Sequence, residues 1–390
     1  MATIKDIKKN DCCGCGTCCC ICPKKAIKMV ENSEGFLYPE IDEEKCIKCG
    51  LCKKKCPIIS KIEVKNYEQK AYAIKAKNRE NQIRSSSGGF FSTVAEYVLD
   101  NCGYVYGVEV DNRFNVNHIR IDSKDDIKMI RGSKYVQSNI LTIMNDIREK
   151  LDNDNLVLFV GTPCQVAGLY SFIGKKYENL ITCDLICHGV PSPKLFKEYI
   201  KYLEKKYKKT IAKYEFRNKE KKGWGYTSKI TFTDKTIKYI NNDFDIYCSN
   251  FLENNISRES CYTCRYSNLN RVGDITMGDY WGVSSIHKSF NDRNGVSLII
   301  INSEKGEKYF NNIKDNLLFY ETNLNYAIRY NNNLSKPSKR GSKRNISYGC
   351  FTNSKNISKT LKINHITKKI IKLIIPSKIK TTLKNILRRA

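Results

Sequence analysis

Cys46-Ile47-Lys48-Cys49-Gly50-Leu51-Cys52-Lys53-Lys54-Lys55-Cys56-Pro57 reads C-x2-C-x2-C-x3-C-P without a deviation. The same run stands 34 residues earlier, where Cys12, Cys15, Cys18 and Cys22-Pro23 keep the spacing. Three thiols within seven residues converge only if the chain curls tightly. Gly14, Gly16 and Gly50 supply that freedom and let backbone N–H groups approach the sulfurs. Pro23 and Pro57 close each loop without an N–H that would compete for those sulfurs. Cys13, Cys19 and Cys20 crowd the first run, yet only one register ends in Cys-Pro.

This spacing is that of a two-cluster bacterial ferredoxin, in which three close thiolates grip one 4Fe–4S cube and the fourth reaches the other. It assigns Cys12, Cys15, Cys18 and Cys56 to one cluster, and Cys46, Cys49, Cys52 and Cys22 to a second. Zinc sites use two separated C-x2-C knuckles, and disulfide knots belong to short secreted chains. Neither explains two four-cysteine runs that both end in proline.

The chain has 390 residues, room for two domains or one large domain with a small module. Hydrophobic residues make up 41%, as in an ordinary globular core. Nineteen cysteines in such a length suggest reduced thiols and metal clusters rather than a secreted scaffold. The first twenty residues carry no apolar signal region, and no apolar run approaches the roughly 18 residues of a membrane span. The expectation is a cytoplasmic protein. The net charge of +28 does not mark a nucleic-acid binder. More than half of it sits in Ser335–Ala390, which holds 16 Lys and Arg and no Asp or Glu, and no zinc finger, aromatic ladder or helix-turn-helix pattern accompanies it.

The paired cysteine runs, each expected to be followed by a short helix (Lys24–Met29 after the first), and a strand over Gly35–Ile41 turning at Pro39 predict a small α+β module over 1–60. Residues 61–70 read as a linker. Strand patterns at Ala71–Lys77, Tyr104–Val110, Val116–Ile121, Leu156–Val160, Leu180–Ile186 and Val296–Ile301 follow. Helical periodicity at Gly88–Asp100, Asn139–Leu151, near Gln165 and at Pro193–Tyr207 alternates with them. That order predicts an α/β domain over 71–334 with a largely parallel sheet and an antiparallel insertion at Ile211–Ile240. After Asn331 the chain reads as polar and irregular, and 335–390 as a basic tail.

Four further cysteines stand out. Cys164 and Cys187 each follow a buried strand, and Cys261 and Cys264 form a C-x2-C pair. Ligands of open α/β sheets gather at the carboxyl ends of strands, so a C-x2-C loop closing over that edge would complete four thiolates. Spacing alone leaves open the alternative that Cys164 and Cys187 are small buried hydrophobes. Likewise Ser85-Ser86-Ser87-Gly88-Gly89, ahead of a helix, is either an anion-binding turn or a plain polar cap.

The stretches SSSGGFF (85–91), SKYVQS (133–138), LFVGTPCQVAGL (158–169), CHGVPSP (187–193) and RESCYTCRYSNLNRVGDITMGDYWG (258–282) together resemble the beta subunits of coenzyme F-420 hydrogenases and dehydrogenases, with a ferredoxin module in front. The resemblance to this family covers about three-quarters of the chain. It implies an iron–sulfur flavoprotein oxidoreductase with a third 4Fe–4S cluster on Cys164, Cys187, Cys261 and Cys264. It implies FAD held near Ser86, Ser87, Gly88 and Gly89, near Tyr135 and Ser138, and near Gly161, Thr162, Pro163 and Gln165. Coenzyme F-420 would be a co-substrate. The family also includes chlorophyll-type reductases and members associated with surface-polysaccharide synthesis, so it leaves the small organic substrate open.

A flavin beside a cluster chain converts between two-electron and one-electron transfer. The partner expected for the N-terminal clusters is a ferredoxin or another redox subunit. A second reading is an electron-transfer subunit serving a separate catalytic protein. His188, next to Cys187, is the candidate for proton delivery or flavin contact, against the alternative of a histidine hydrogen-bonded in its loop. Asp279 and Trp281 shape the same pocket or belong to the core. In the tail, Ile366, Ile370, Ile371, Leu373 and Ile374, then Ile379, Leu383, Ile386 and Leu387, give two basic amphipathic helices suited to an anionic membrane surface or to docking on protein.

Overall fold

The computed structural model describes residues 3–60 and 67–353. Most of the expected linker and both amphipathic tail helices lie outside the described residues. Among those described, no helix is long and apolar enough to cross a membrane.

The N-terminal module is built on the antiparallel pair β1 (Ile27–Glu31) and β2 (Leu37–Ile41). The short helices expected after the cysteine runs lie inside them instead, at Thr17–Cys20 and Leu51–Lys54. Lys25 at φ 50° turns the chain after Pro23, and residues 27–31 are then claimed by pairing with β2. Pro39 lies within β2 opposite Met29 rather than at a turn, and a two-stranded edge tolerates its missing N–H.

The large sheet contains β3 (Lys70–Ala76), β4 (Tyr104–Val110), β5 (Val116–Ile121), β6 (Val157–Gly161) and β7 (Leu180–Leu185). A separate antiparallel sheet, the expected insertion, holds β8 (Ile211–Glu215), β9 (Thr227–Phe232) and β10 (Ile237–Asn241). The large sheet is completed by β11 (Ile275–Asp279), β12 (Ser297–Ile301) and β13 (Leu317–Thr322), in the order β13-β3-β12-β11-β7-β6-β4-β5. Its centre, β11-β7-β6-β4, is parallel throughout. β3 points the same way, while β5, β12 and β13 oppose it, so five of the eight strands share one direction.

β6 is buried along its whole length, as a strand covered on both faces must be. One face packs under helix Phe90–Asp100 through Phe90, Val94 and Val98 and under helix Glu304–Ile313 through Phe310 and Ile313. The other packs under helices Met144–Asp152 and Pro163–Ile173 through Ile147, Leu151, Val166 and Phe172. The insertion has its own core, and Phe36 of the N-terminal module is fully buried in it. The region after Asn331, expected to be irregular, contains helix Arg344–Asn353, whose Tyr348 enters that same core. Its few apolar residues hid it in the sequence.

Candidate functional site

The repeat survives folding. Gly16 and Gly50 each precede a four-residue helical turn and both take φ 75°, a conformation that a side chain would strain. These turns set the thiols of the first group, Cys12, Cys15, Cys18 and Cys56, near one another. Burial and then the neighbouring Cys15, Cys12 and Cys56 raise the pKa of Cys18. Burial, with Cys15 and Cys12 adding to it, pushes Cys56 up to about 11. The second group, Cys22, Cys46, Cys49 and Cys52, lines one pocket, into which the Ala26 N–H donates to the Cys22 sulfur at 3.3 Å. Cys49 is exposed and Ile47 beside it is 59% exposed, so this group faces outward. Among the described residues no three His, Cys, Asp or Glu side chains surround a single ion. A cube does not require that, because each of its thiolates holds a different iron.

The third group assembles at the carboxyl edge of the parallel strands. Cys164 enters helix Pro163–Ile173 directly after β6, and Cys187 follows β7. The thiol of Cys187 interacts with those of Cys261, Cys164 and Cys264, and that of Cys261 with Cys164 and Cys264. The C-x2-C loop closes over this edge through an Arg258 N–H to Val190 carbonyl bond of 2.9 Å and a bridge between Pro191 and Ser257. Gly189 makes room for it, since a Cβ there would lie 2.6 Å from Ser257 Oγ and 3.4 Å from Cys261 Cβ. The four cysteines are half-buried and mutually close, an arrangement that suits ligands better than isolated core residues.

The first and third groups meet. The Thr17 hydroxyl, 3.4 Å from the Cys15 sulfur, donates to the Gly168 carbonyl at 2.8 Å, one helical turn from Cys164. Cys13, which the spacing left unassigned, interacts with both Cys15 and Cys164. The first group therefore lies between the other two, packing with Cys22 and Cys52 of the second on one side and meeting the third through Cys13, Cys15 and Cys164 on the other.

The residues expected around a flavin divide into two sets. Ser86 Oγ accepts the Ser133 N–H at 2.8 Å, which joins the Ser-Gly turn to the 133–138 segment. The turn's anion-binding expectation meets competition, because the Gly88 N–H already donates to Ser297 Oγ at 2.8 Å and Ser87 Oγ donates to the Val296 carbonyl at 2.8 Å. Gly89, at φ 99°, caps helix Phe90–Asp100. Ser138, Thr162 and Gln165 hold one another. Gln165 Nε2 donates to Ser138 Oγ at 2.9 Å and its Oε1 accepts the Thr162 N–H at 3.0 Å, with Pro163 opening the helix. His118, on β5, completes that network through Ser138 Oγ at 3.1 Å and the Val160 carbonyl at 3.0 Å. Burial pushes its pKa down to about 4. Gly161 ends β6 against Phe159.

Tyr135 has a different setting. It stacks on Phe251 at 4.5 Å and sits 6.1 Å from Tyr226, which stacks on Trp281 at 5.6 Å. Trp281 in turn lies parallel to Trp224 at 4.8 Å. Behind this half-buried shelf Arg217 Nη2 donates to Asp279 Oδ1 at 3.0 Å. Lys219, buried and shifted down to about 7 by desolvation, donates to the carbonyls of Gln82 at 2.7 Å and Ser87 at 2.5 Å. Flat aromatic faces of this kind are surfaces on which a planar ring can stack. His188 bonds the Phe251 carbonyl at 3.2 Å through Nε2, and its ring sits 4.9 Å from that of Phe251. It thus occupies the hydrogen-bonded loop position and links Cys187 to the Phe251–Tyr135 pair. Arg217, Lys219 and His118 were not marked by spacing; only a long-range pairing such as Arg217 with Asp279 reveals them.

Residues 154–325 match the family described as the C terminus of the coenzyme F420 hydrogenase/dehydrogenase beta subunit, and residues 39–58 match a 4Fe–4S binding domain. The chain is 24% identical over 332 residues to the F subunit of the F(420)H(2) dehydrogenase of Methanosarcina mazei, covering 81% of this chain and 86% of that one. It is 24% identical over 329 residues to the coenzyme F420-dependent sulfite reductase of Methanocaldococcus jannaschii, covering 78% of this chain and 46% of that one. A stretch of 60 residues is 38% identical to the VorC subunit of the ketoisovalerate oxidoreductase of Methanothermobacter marburgensis, covering 15% of this chain and 76% of that one. A solved chain of the F420-reducing [NiFe] hydrogenase complex from Methanosarcina barkeri superposes with a TM-score of 0.44 at 14% identity, covering 66% of this chain and 82% of that one.

Proposed function

Because the chain belongs to the family of coenzyme F420 hydrogenase/dehydrogenase beta subunits, with a 4Fe–4S binding domain in front, we propose that it is a three-cluster iron–sulfur flavoprotein oxidoreductase. It moves electrons between a partner protein at one end and an organic redox group at the other. The observation that carries this reading is the order of the thiol groups: an outward-facing four, a middle four, then a four at the sheet edge, followed by the Phe251–Tyr135 stack. Clusters supply single-electron transfer and a flavin supplies its coupling to two-electron transfer.

Cys22, Cys46, Cys49 and Cys52 would hold the cube that meets the partner, a ferredoxin or another redox subunit. Cys12, Cys15, Cys18 and Cys56 would hold the next, and Cys164, Cys187, Cys261 and Cys264 the last. Tyr135, Tyr226 and Trp281 would cover a flavin ring, with Arg217 and Asp279 at its polar end. His188 would stay neutral between the last thiol group and Phe251. The names of two relatives both carry F420, which makes that deazaflavin the first co-substrate to try.

The test is anaerobic incubation of the iron-loaded chain with FAD, followed by reduced ferredoxin or reduced coenzyme F420 as sole electron source. Retention of about one flavin per chain, and loss of the clusters' visible absorbance with either donor, supports the reading. A chain that keeps no flavin contradicts its flavoprotein part.

A further inference from the structure

We infer that Arg258 is an electrostatic positioning residue at the junction of the first and third thiol groups, where its unpaired cation makes the centres there easier to reduce. This rests on reading those groups as iron–sulfur centres.

Arg258 is fully buried. Its Nε donates to the Cys12 carbonyl at 2.7 Å, Nη1 to Gln137 Oε1 at 3.1 Å and Nη2 to the Leu37 carbonyl at 2.9 Å. Its own main chain belongs to the third group's loop, since its carbonyl accepts the Cys261 N–H at 3.0 Å. One residue therefore ties the loops of both groups, and the thiols of Cys12, Cys15, Cys164 and Cys261 all lie within reach of its charge.

Among the described residues, the other three buried arginines each hold a carboxylate: Arg217 with Asp279, Arg271 with Asp184, and Arg344 with Glu34. Arg258 holds none, and its acceptors are all neutral. The Tyr38 ring lies 4.1 Å and the Phe36 ring 5.3 Å from its guanidinium carbon, which completes its exclusion from water. A buried cation without a counter-charge is costly. Cubes held by four thiolates are anions, and two of them beside Arg258 supply that counter-charge. Reduction adds one electron and one negative charge to a cube, with no bond formed and no proton moved. A fixed neighbouring cation stabilises the reduced form more than the oxidised one and raises the potential. Gly14 belongs to the same device, because a Cβ on it would stand 2.9 Å from Arg258 Nη1.

The experiment is a redox titration of the full, anaerobically reconstituted chain, with dithionite as reductant and spin resonance as readout. Arg258→Gln is expected to raise the oxidised-to-reduced ratio of the junction centres about tenfold at a fixed solution potential, a fall of about 59 mV for a one-electron couple. Arg258→Lys keeps the charge and should stay near the wild type. Gln137→Glu keeps every arginine bond but sets a carboxylate on Nη1, and should shift the junction centres in the same direction as Arg258→Gln. The outward-facing centre serves as the internal control and should not move.

Loaded Arg258→Gln and Gln137→Glu chains that titrate as the wild type overturn the proposal, as does an Arg258→Lys chain that falls as far as Arg258→Gln. If Arg258→Gln does not take up iron, Gln137→Glu decides alone. A wild-type chain that binds no iron removes the cluster reading and this proposal together, which distinguishes the two failures.

Discussion

Gly168 stands against Cys15 so closely that a Cβ on it would lie 2.8 Å from Cys15 Cβ and 3.2 Å from the Cys15 sulfur. The contact seats the N-terminal module on helix Pro163–Ile173, one turn from Cys164. Gly168→Ala is expected to push the module off this seat at a cost of about 1–3 kcal/mol, in the range of overpacked cores. Limited proteolysis should release the module from the variant faster than from the wild type. Equal rates would show that the seat tolerates a methyl group.

Arg344 and Glu34 pair in a fork, with both nitrogen–oxygen distances at 2.7 Å, between helix Arg344–Asn353 and the β1–β2 turn. Arg344 is 1% exposed, so removing its partner leaves a buried charge whose remaining carboxylate, Glu259, lies 3.7 Å from its Nε. Glu34→Gln should lower stability by about 2 kcal/mol, the order of a charged hydrogen bond. Urea unfolding followed by tyrosine fluorescence checks this, and an unchanged midpoint would speak against the pair.

His118 gives a pH dependence with a defined sign. Burial holds its pKa near 4 in the folded chain, against an ordinary value of 6.5. Between those values the unfolded chain takes up a proton that the folded chain refuses. Stability is therefore lost as pH falls from about 6.5 towards 4, and the loss levels off below. A shift of this size corresponds to roughly 3 kcal/mol at most. Melting temperatures of the wild type and His118→Gln should converge as pH falls through that window. Parallel curves would show that His118 does not carry the effect.

Trp281 stacks with Trp224 and with Tyr226 in the aromatic shelf. If a flavin ring is held there, Trp281→Ala should weaken FAD binding about tenfold, the order of one lost aromatic contact. Titration of flavin fluorescence measures it. Unchanged affinity would place the ring elsewhere.

How much of this was readable beforehand follows from distance along the chain. The first and second thiol groups depend on spacings of three or four residues and a 34-residue repeat, so sequence exposed them directly. The strands β4 and β5 were visible through their alternation, and β6 and β7 because each is a short apolar run. β13 was missed although Leu317-Leu318-Phe319-Tyr320 is apolar, and the fold places it at the sheet edge with Leu318, Phe319 and Tyr320 exposed. The closure of Cys261 and Cys264 over Cys164 and Cys187 joins segments more than seventy residues apart, so spacing alone left it open beside a core reading and the family resemblance pointed to it. The bonds that Ser138 and Gln165 make were hidden for a related reason. Ser138 Oγ meets both His118 Nδ1 and Gln165 Nε2, contacts that no local motif announces.

The central claim is that the chain carries a third cluster at the sheet edge in line with two in the N-terminal module. Iron determination on the anaerobically reconstituted chain tests it most directly. The account predicts about twelve irons per wild-type chain and about eight after Cys187→Ala with Cys261→Ala, from four irons per cube. A wild-type chain that saturates at about eight, unchanged by those substitutions, would contradict it.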